Sequence, residues 1–422
     1  MALRPPQSRV QRRIYLDANA TTPLLPEVFD AMRPFLLENF GNASSIHQQG
    51  QRARAAVDKA RAAVARLLNV KSSEIVFTSG GTESDNLALF GAVAPGDHLI
   101  TSAVEHHAVL HAAEALAKRG VEVTFLACDA DGIVAPAALA AALRPNTRLV
   151  SIMFANNETG VIQPVEELAR ITRQHSAALF HTDAVQGAGK LPLNLAAEGQ
   201  FANIDLLSLS GHKMYAPQGT GVLFVRSGVK LAPLFHGGTH ERQRRAGTEN
   251  VAGIVALGKA AELAAAWLAT IPGAPCLASE TSADCPGALA ALRDRLEQGI
   301  LAEVAACGVN GAAVARTANT TNLFFDHLEA ESLVITLDLN GVSVSGGSAC
   351  QSGASEPSHV LTAMGLSPAR ARASIRISLS RTTTAEEIDE ALRIIPASVA
   401  QLRSMSRTWA ASRTQSHTMA AV

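Results

Sequence analysis

Asp183 and Lys213 are the two side chains whose pairing implies the most specific chemistry. Each follows a short apolar run. Residues 178–181 lead into His181-Thr182-Asp183-Ala184-Val185-Gln186, and residues 205–209 lead into Ser210-Gly211-His212-Lys213. If both runs are strands of one sheet, the carboxylate and the amine lie at its carboxyl edge, where ligand groups gather in such sheets. A lysine amine condenses with an aldehyde, and a carboxylate keeps a pyridine nitrogen protonated. The pair is therefore what pyridoxal phosphate needs. Alone, Asp183 reads as a turn residue and Lys213 as a solvated charge; together these readings are disfavoured. A second segment, Thr78-Ser79-Gly80-Gly81-Thr82-Glu83-Ser84, lies between a strand-like run and a helix expected to begin near Asn86. Backbone N–H groups and a Thr hydroxyl at a helix start suit a phosphate. It matches neither a Walker loop nor a dinucleotide fingerprint, and on its own a plain βα turn is the favoured reading. Ser210 and His212 are expected to complete the cradle with Gly81 and Thr82. The third segment is Ser345-Gly346-Gly347-Ser348-Ala349-Cys350-Gln351-Ser352-Gly353. A thiol in a Gly/Ser loop has the setting of a reactive cysteine, whereas Cys128 sits in an apolar run; taken alone, Cys350 reads equally as a reactive thiol and as an inert one.

The elements that must position these groups alternate. Short apolar runs fall at 75–77, 98–101, 121–126, 149–154, 178–181, 205–209 and 222–225, and helical periodicity at 50–68, 104–119 and 165–175. Strands alternating with helices predict an α/β fold, a mainly parallel mixed sheet of seven strands covered on both faces. After about residue 252 the texture changes. An Ala-rich helix to about 269 is followed by a Pro/Gly/Ser/Ala-rich stretch at 271–287. Helices near 288–304 and 332–337 and strands near 322–325 and 374–379 then predict a smaller α+β domain. The expected organisation is a disordered basic extension over 1–13 and a large domain over 14–260. A small domain over 261–410 follows, with an insertion at 271–287 and the cysteine loop at 345–357, and then a mobile tail over 411–422.

The chain has 422 residues, enough for two or three domains, with 36 Lys plus Arg against 37 Asp plus Glu. A net charge of -1 argues against a nucleic-acid footprint or a basic membrane surface, and 17% charged with 47% hydrophobic residues against global disorder. No run of eighteen uncharged apolar residues occurs, so no membrane span is expected. The N-terminal segment lacks the apolar core of a secretory signal, and a cytoplasmic protein is expected. Five cysteines, none in a C-x-x-C pair, read as reduced thiols rather than a disulfide framework or zinc ribbon. Cys276 and Cys285 fall in the 271–287 stretch, for which a plain insertion is preferred over a regulatory thiol pair.

Taken together, the motifs resemble those of NifS/IscS-type cysteine desulfurases, fold-type I pyridoxal-phosphate enzymes of the class V aminotransferase superfamily. The matching segments include residues 15–23, Phe40-Gly41-Asn42, 78–86, Glu105-His106, Asn156-Asn157-Glu158, 183–186, 210–213, His236-Gly237-Gly238, His240-Glu241-Arg242, Gly247-Thr248, 347–350 and Arg376, in the family's order. The resemblance implies that Lys213 carries the cofactor as a Schiff base, Asp183 pairs with its ring nitrogen and Gln186 bonds its phenolic oxygen. It implies that His106 stacks on the ring and moves a proton, and that Gly81, Thr82, Ser210 and His212 hold the phosphate. Thr248 would reach the cofactor of a neighbouring subunit in a homodimer. Asn157, beside the cofactor, and Arg376 would hold the substrate carboxylate, for which a planar guanidinium fork is apt. Cys350 would take sulfur from L-cysteine as a persulfide, release alanine and pass the sulfur to an iron–sulfur scaffold protein or another acceptor. No intrinsic metal is implied, though Cys350 could transiently ligate a cluster on a scaffold. A selenocysteine lyase, another class V transferase and a non-catalytic sulfur-relay homologue are the competing readings. Gln351 stands where the family has Thr.

Overall fold

The computed structural model describes residues 13–270, 283–346, 357–406 and 409. The strands in chain order are β1 (Ile14–Tyr15), β2 (Ile75–Thr78), β3 (His98–Ser102), β4 (Glu122–Leu126), β5 (Thr147–Ser151), β6 (Leu179–Asp183), β7 (Leu206–Ser210) and β8 (Gly221–Val225). They continue with β9 (Cys307–Val309), β10 (Thr320–Phe325), β11 (Val342–Ser343), β12 (Ser345–Gly346) and β13 (Ser374–Ser378). The seven apolar runs form one sheet in the order β2-β8-β7-β6-β5-β3-β4. Its strands are parallel except β8, which runs antiparallel to both β7 and β2. β2, β7 and β8 are buried along their whole length, as expected of strands covered on both faces.

The registers bring the chemistry-bearing ends together. Gly221 of β8 lies opposite Ser210 on one side and Thr78 on the other, so both reach the same sheet edge. A Cβ on Gly221 would come within 2.6 Å of the Gly80 backbone; glycine there lets the Gly80–Gly81 turn close down on the sheet. Asp183 ends β6 opposite Ser208. The helix after this turn begins at Gly81, five residues before the expected start near Asn86. The cause is local: the Ser84 N–H donates to the Gly80 carbonyl, and the Glu83 carboxylate accepts from the Ser79 N–H at 2.7 Å. Gly81 and Thr82 thus stand in the first helical turn, whose N–H groups lack partners within the helix.

A second core gathers the C-terminal elements. β12-β13-β10-β9 form an antiparallel sheet, packed against the helices Pro286–Glu303, Ala330–Leu339 and Ala385–Ser404. Ile14 and Leu16 belong to this core, because β1 pairs in parallel with β11. From Ile14 the described chain therefore runs first in the smaller unit and crosses into the larger one near Asn19, a crossing that the expected division at 14–260 does not contain. The helix Val251–Leu268 has the length and hydropathy of a membrane span, but ten of its residues are buried in the protein. It packs on Gln48–Leu68, where a Cβ on Gly258 would come within 2.6 Å of Ala60.

One expectation about the thiols is corrected. Cys128 and Cys307 are free, but Cys285 is disulfide-bonded, with a partner outside the described residues. Reading all five as reduced failed because pairing depends on the spatial separation of the Cα atoms, which spacing in sequence does not reveal. The Cys285 sulfur also accepts from the Ala288 N–H at 3.3 Å at the start of Pro286–Glu303. Cys276 and most of the 345–357 loop, Cys350 included, lie outside the described residues.

Candidate active site

A cavity of about 370 Å³ opens at the carboxyl edge of the seven-stranded sheet. Gly81, Thr82, His106, Asn157, Asp183, Gln186, Ser210, His212, Lys213 and Arg376 all line it. Of the expected site residues within the described structure, only Thr248 stands elsewhere. It lines a separate recess with Gly247, Asn250 and Arg245.

Lys213 closes the single helical turn Gly211–Lys213 that follows β7. Its ammonium donates to the backbone carbonyls of Asn19 and Ala20, the latter at 2.6 Å. Asp183 is buried at the end of β6, and burial raises its pKa to about 6 against the lowering influence of the Val185 N–H and of Lys213. A cationic ring nitrogen placed beside it would reverse that burial effect. The phosphate-type cradle is formed by the first turn of Gly81–Ala92, a 12-residue helix, with Ser210 and His212. A Cβ on Gly81 would stand 2.7 Å from the Val185 side chain, so only glycine fits there.

His106 caps the helix His107–Ala117, its Nδ1 accepting from the Ala108 N–H at 3.1 Å. Burial first, then the neighbouring His107, Lys213, His359 and His111, pushes its pKa down to about 4. It is therefore neutral near pH 7, and with Nδ1 acting as acceptor the proton resides on Nε2. His107 is half-buried with its ring 4.7 Å from that of His359.

Arg376 reaches the cavity from β13, so the smaller unit supplies one wall. It donates to Asp17 Oδ1 at 2.7 Å and to the Asn157 carbonyl at 3.1 Å. Its Nε and Asn157 Oδ1 are buried without hydrogen-bond partners, as is Asp85 Oδ1. Unpartnered buried polar groups around one cavity are the mark of a site that awaits a ligand. Asp85 was not singled out from sequence. It stands 3.7 Å from His181 Nε2, and burial and the Asp183 charge raise its pKa well above the carboxylate range. Asp17, Asn19 and Lys190 were also missed as site residues. Asn19 is the junction of the two units: its amide nitrogen donates to the Asn157 carbonyl and to Thr320 Oγ1, and its backbone N–H to Ser378 Oγ. Its place in the 15–23 segment was the available signal.

An amine, an acid for a ring nitrogen, an anion cradle and a guanidinium thus converge in one cavity, and this donor set fits pyridoxal phosphate. The profile of the family "Aminotransferase class-V" matches residues 14–391. A cysteine desulfurase IscS of Methanosarcina thermophila is 46% identical over 403 residues, 94% of this chain and 95% of that protein. A cysteine desulfurase of Bradyrhizobium diazoefficiens is 49% identical over 398 residues, 93% of this chain and 96% of that one. Among solved structures, a NifS-like protein superposes with a TM-score of 0.82 at 35% identity, covering 92% of this chain and all of that one. The structure of SspA in complex with cysteine superposes with a TM-score of 0.73 at 35% identity, covering 87% of this chain and 99% of that one.

Proposed function

The chain belongs to the class-V aminotransferase family, whose cysteine desulfurases depend on pyridoxal phosphate, and from that premise we propose that it removes sulfur from L-cysteine and leaves L-alanine. The observation that carries this reading is the convergence of Lys213, Asp183, the Gly81–Thr82 turn and Arg376 on one cavity.

When bound, pyridoxal phosphate supplies an electron sink. Lys213 would hold it covalently, Asp183 would face its ring nitrogen, Gln186 its ring oxygen, and Gly81, Thr82, Ser210 and His212 its phosphate. Arg376 and Asn157 would orient the substrate carboxylate. The freed Lys213 amine would take the Cα proton, and His106, neutral with its proton on Nε2, has one to give. The Cys350 thiolate would attack the sulfur of the bound L-cysteine. An S–S bond forms as the C–S bond breaks, the electron pair stays on the carbon side, and a proton completes alanine. No external oxidant or reductant is consumed. The persulfide on Cys350 then passes to an acceptor, for which an iron–sulfur scaffold protein is the chemistry we favour. The Gly and Ser content of the 345–357 segment suits a loop that carries a thiol between cofactor and acceptor.

We further read the protein as a cytoplasmic homodimer. Two observations support the dimer. Thr248 stands outside its own chain's cavity. Leu37, Phe40 and Ile46 are 65%, 76% and 93% exposed on and just after the helix Pro26–Leu37, an apolar face of the kind that associates. The direct test is addition of L-cysteine to purified protein with alanine as the readout. Alanine formed by the wild type and not by Cys350→Ser is the expected result. Equal alanine from both would overturn the assignment of Cys350.

A further inference from the structure

The turn after β6 sets a second amine behind the cavity wall, against Gln186 and Asn19. Leu191 N–H donates to the Gly187 carbonyl and Ala188 N–H to the Ala184 carbonyl, closing successive turns that include Gly189 at φ 71°. These turns bring Gln186 and Lys190 side by side. The Lys190 amine donates to Gln186 Oε1 at 2.6 Å and to Asn19 Oδ1 at 3.1 Å. Gln186 Nε2 donates in turn to the Asn19 backbone carbonyl at 3.1 Å. Asn19 Oδ1 is held from the other side by Asn319 Nδ2 at 3.0 Å. The charged groups that bear on Lys190 are Lys213, Arg376 and Arg381, all cations. Together with burial they depress its pKa well below the amine range.

This arrangement fixes the side-chain amide of Gln186. Turned over, it would direct its NH2 at the Lys190 amine and its oxygen at the Asn19 carbonyl, acceptor against acceptor. In the orientation observed, one N–H goes to Asn19 and the other remains to serve the cavity that Gln186 lines. We propose that Lys190 is a positioning residue. Its N–H groups lock the Gln186 amide with the oxygen turned to Lys190 and the NH2 available to the ring oxygen of the cofactor. The proposal rests on the reading that this cavity holds pyridoxal phosphate.

A donor at the ring oxygen withdraws charge from it and lowers the pH at which the lysine-bound cofactor loses its proton. Loss of that donor raises this midpoint. The experiment is a pH titration of the visible absorbance of the purified holoprotein. It compares wild type, Lys190→Met, Gln186→Met and the double variant, with Lys190→Arg as the conservative replacement that keeps N–H donors. Lys190→Met is expected to raise the midpoint by about half a unit or more. Gln186→Met should move it the same way, the double variant should add nothing beyond the larger single shift, and Lys190→Arg should restore most of it. If Lys190→Met does not fold, Lys190→Leu is titrated in its place. A midpoint that does not move in Lys190→Met, or shifts that sum fully in the double variant, would overturn the proposal. A wild-type protein with no visible band would overturn the cofactor reading itself, a result distinguishable from a band that is present but unmoved.

Discussion

The Arg61–Glu241 pair and the floor of the cavity around Lys213 are both polar and both buried, yet they are built on opposite lines. Glu241 sits in left-handed backbone at φ 46°, a conformation unfavourable for a residue with a side chain. Arg61 compensates by donating twice to it, each at 2.7 Å, while its guanidinium lies over the Phe77 ring and the Phe77 N–H donates to the same carboxylate. Around the cavity the acids lack such partners. The Asp183 charge bears on both Asp85 and Glu105, and Asp85 Oδ1 and Glu105 Oε2 have no hydrogen-bond partner. Burial raises the Glu105 pKa to about 8 and that of Glu158 to about 7. One region is complete within the chain; the other is left for a ligand to complete. A buried polar cluster is thus informative about function when its members are unsatisfied, not merely when they are buried.

The contrast is broken most severely at Lys213. Lys213→Ala should abolish the visible band and lower alanine formation by about a thousandfold or more, with little change in unfolding midpoint. Glu241→Gln should do the reverse. It leaves a buried guanidinium without its counter-charge and should cost about 3–5 kcal/mol in denaturant unfolding while the visible band persists. Asp85→Asn sharpens the comparison, because burial and the Asp183 charge already disfavour the charged carboxylate there. Its unfolding free energy should change by no more than about 1 kcal/mol, and a loss as large as that of Glu241→Gln would show that Asp85 is ionised and paired.

The raised acids also set a pH dependence for the cofactor-free protein. Glu105 and Glu158 bind their protons more tightly when folded than at the ordinary value of 4.5, so the folded state holds more protons than the unfolded one between 4.5 and about 8. Their contribution is fully present below 4.5 and is lost as pH rises toward about 8. The melting temperature of the cofactor-free protein should fall across that window, and Glu105→Gln should flatten the fall; an unchanged slope would contradict the raised value. The smallest effect belongs to the exposed Arg295–Asp389 pair, where Arg295→Met should change stability by no more than about 0.5 kcal/mol.

The sheet was legible because its strands are short apolar runs between turn residues, and the motif residues because they follow those runs directly. Asp183, Ser210 and Lys213 needed little more than the carboxyl-edge rule. The antiparallel course of β8 was not legible: a fully buried strand has the same apolar composition in either direction. Asn19 and Asp17 escaped as site residues because their partners Asn319, Thr320 and Arg376 are some 300 residues or more away in the chain. Asp85 looked like an ordinary residue of a helix start. Lys190 meets Gln186 only through the turns around Gly189, which the spacing of the two residues does not reveal. The bond of Cys285 depended on a distance that no spacing rule supplies.

The most direct test of the account is mass spectrometry of the peptide bearing Cys350 after the holoprotein meets L-cysteine, with alanine measured in the same sample. The account predicts one added sulfur atom on Cys350 before any acceptor is supplied, alongside alanine. Alanine with an unmodified Cys350, or with the sulfur on another cysteine, would contradict it.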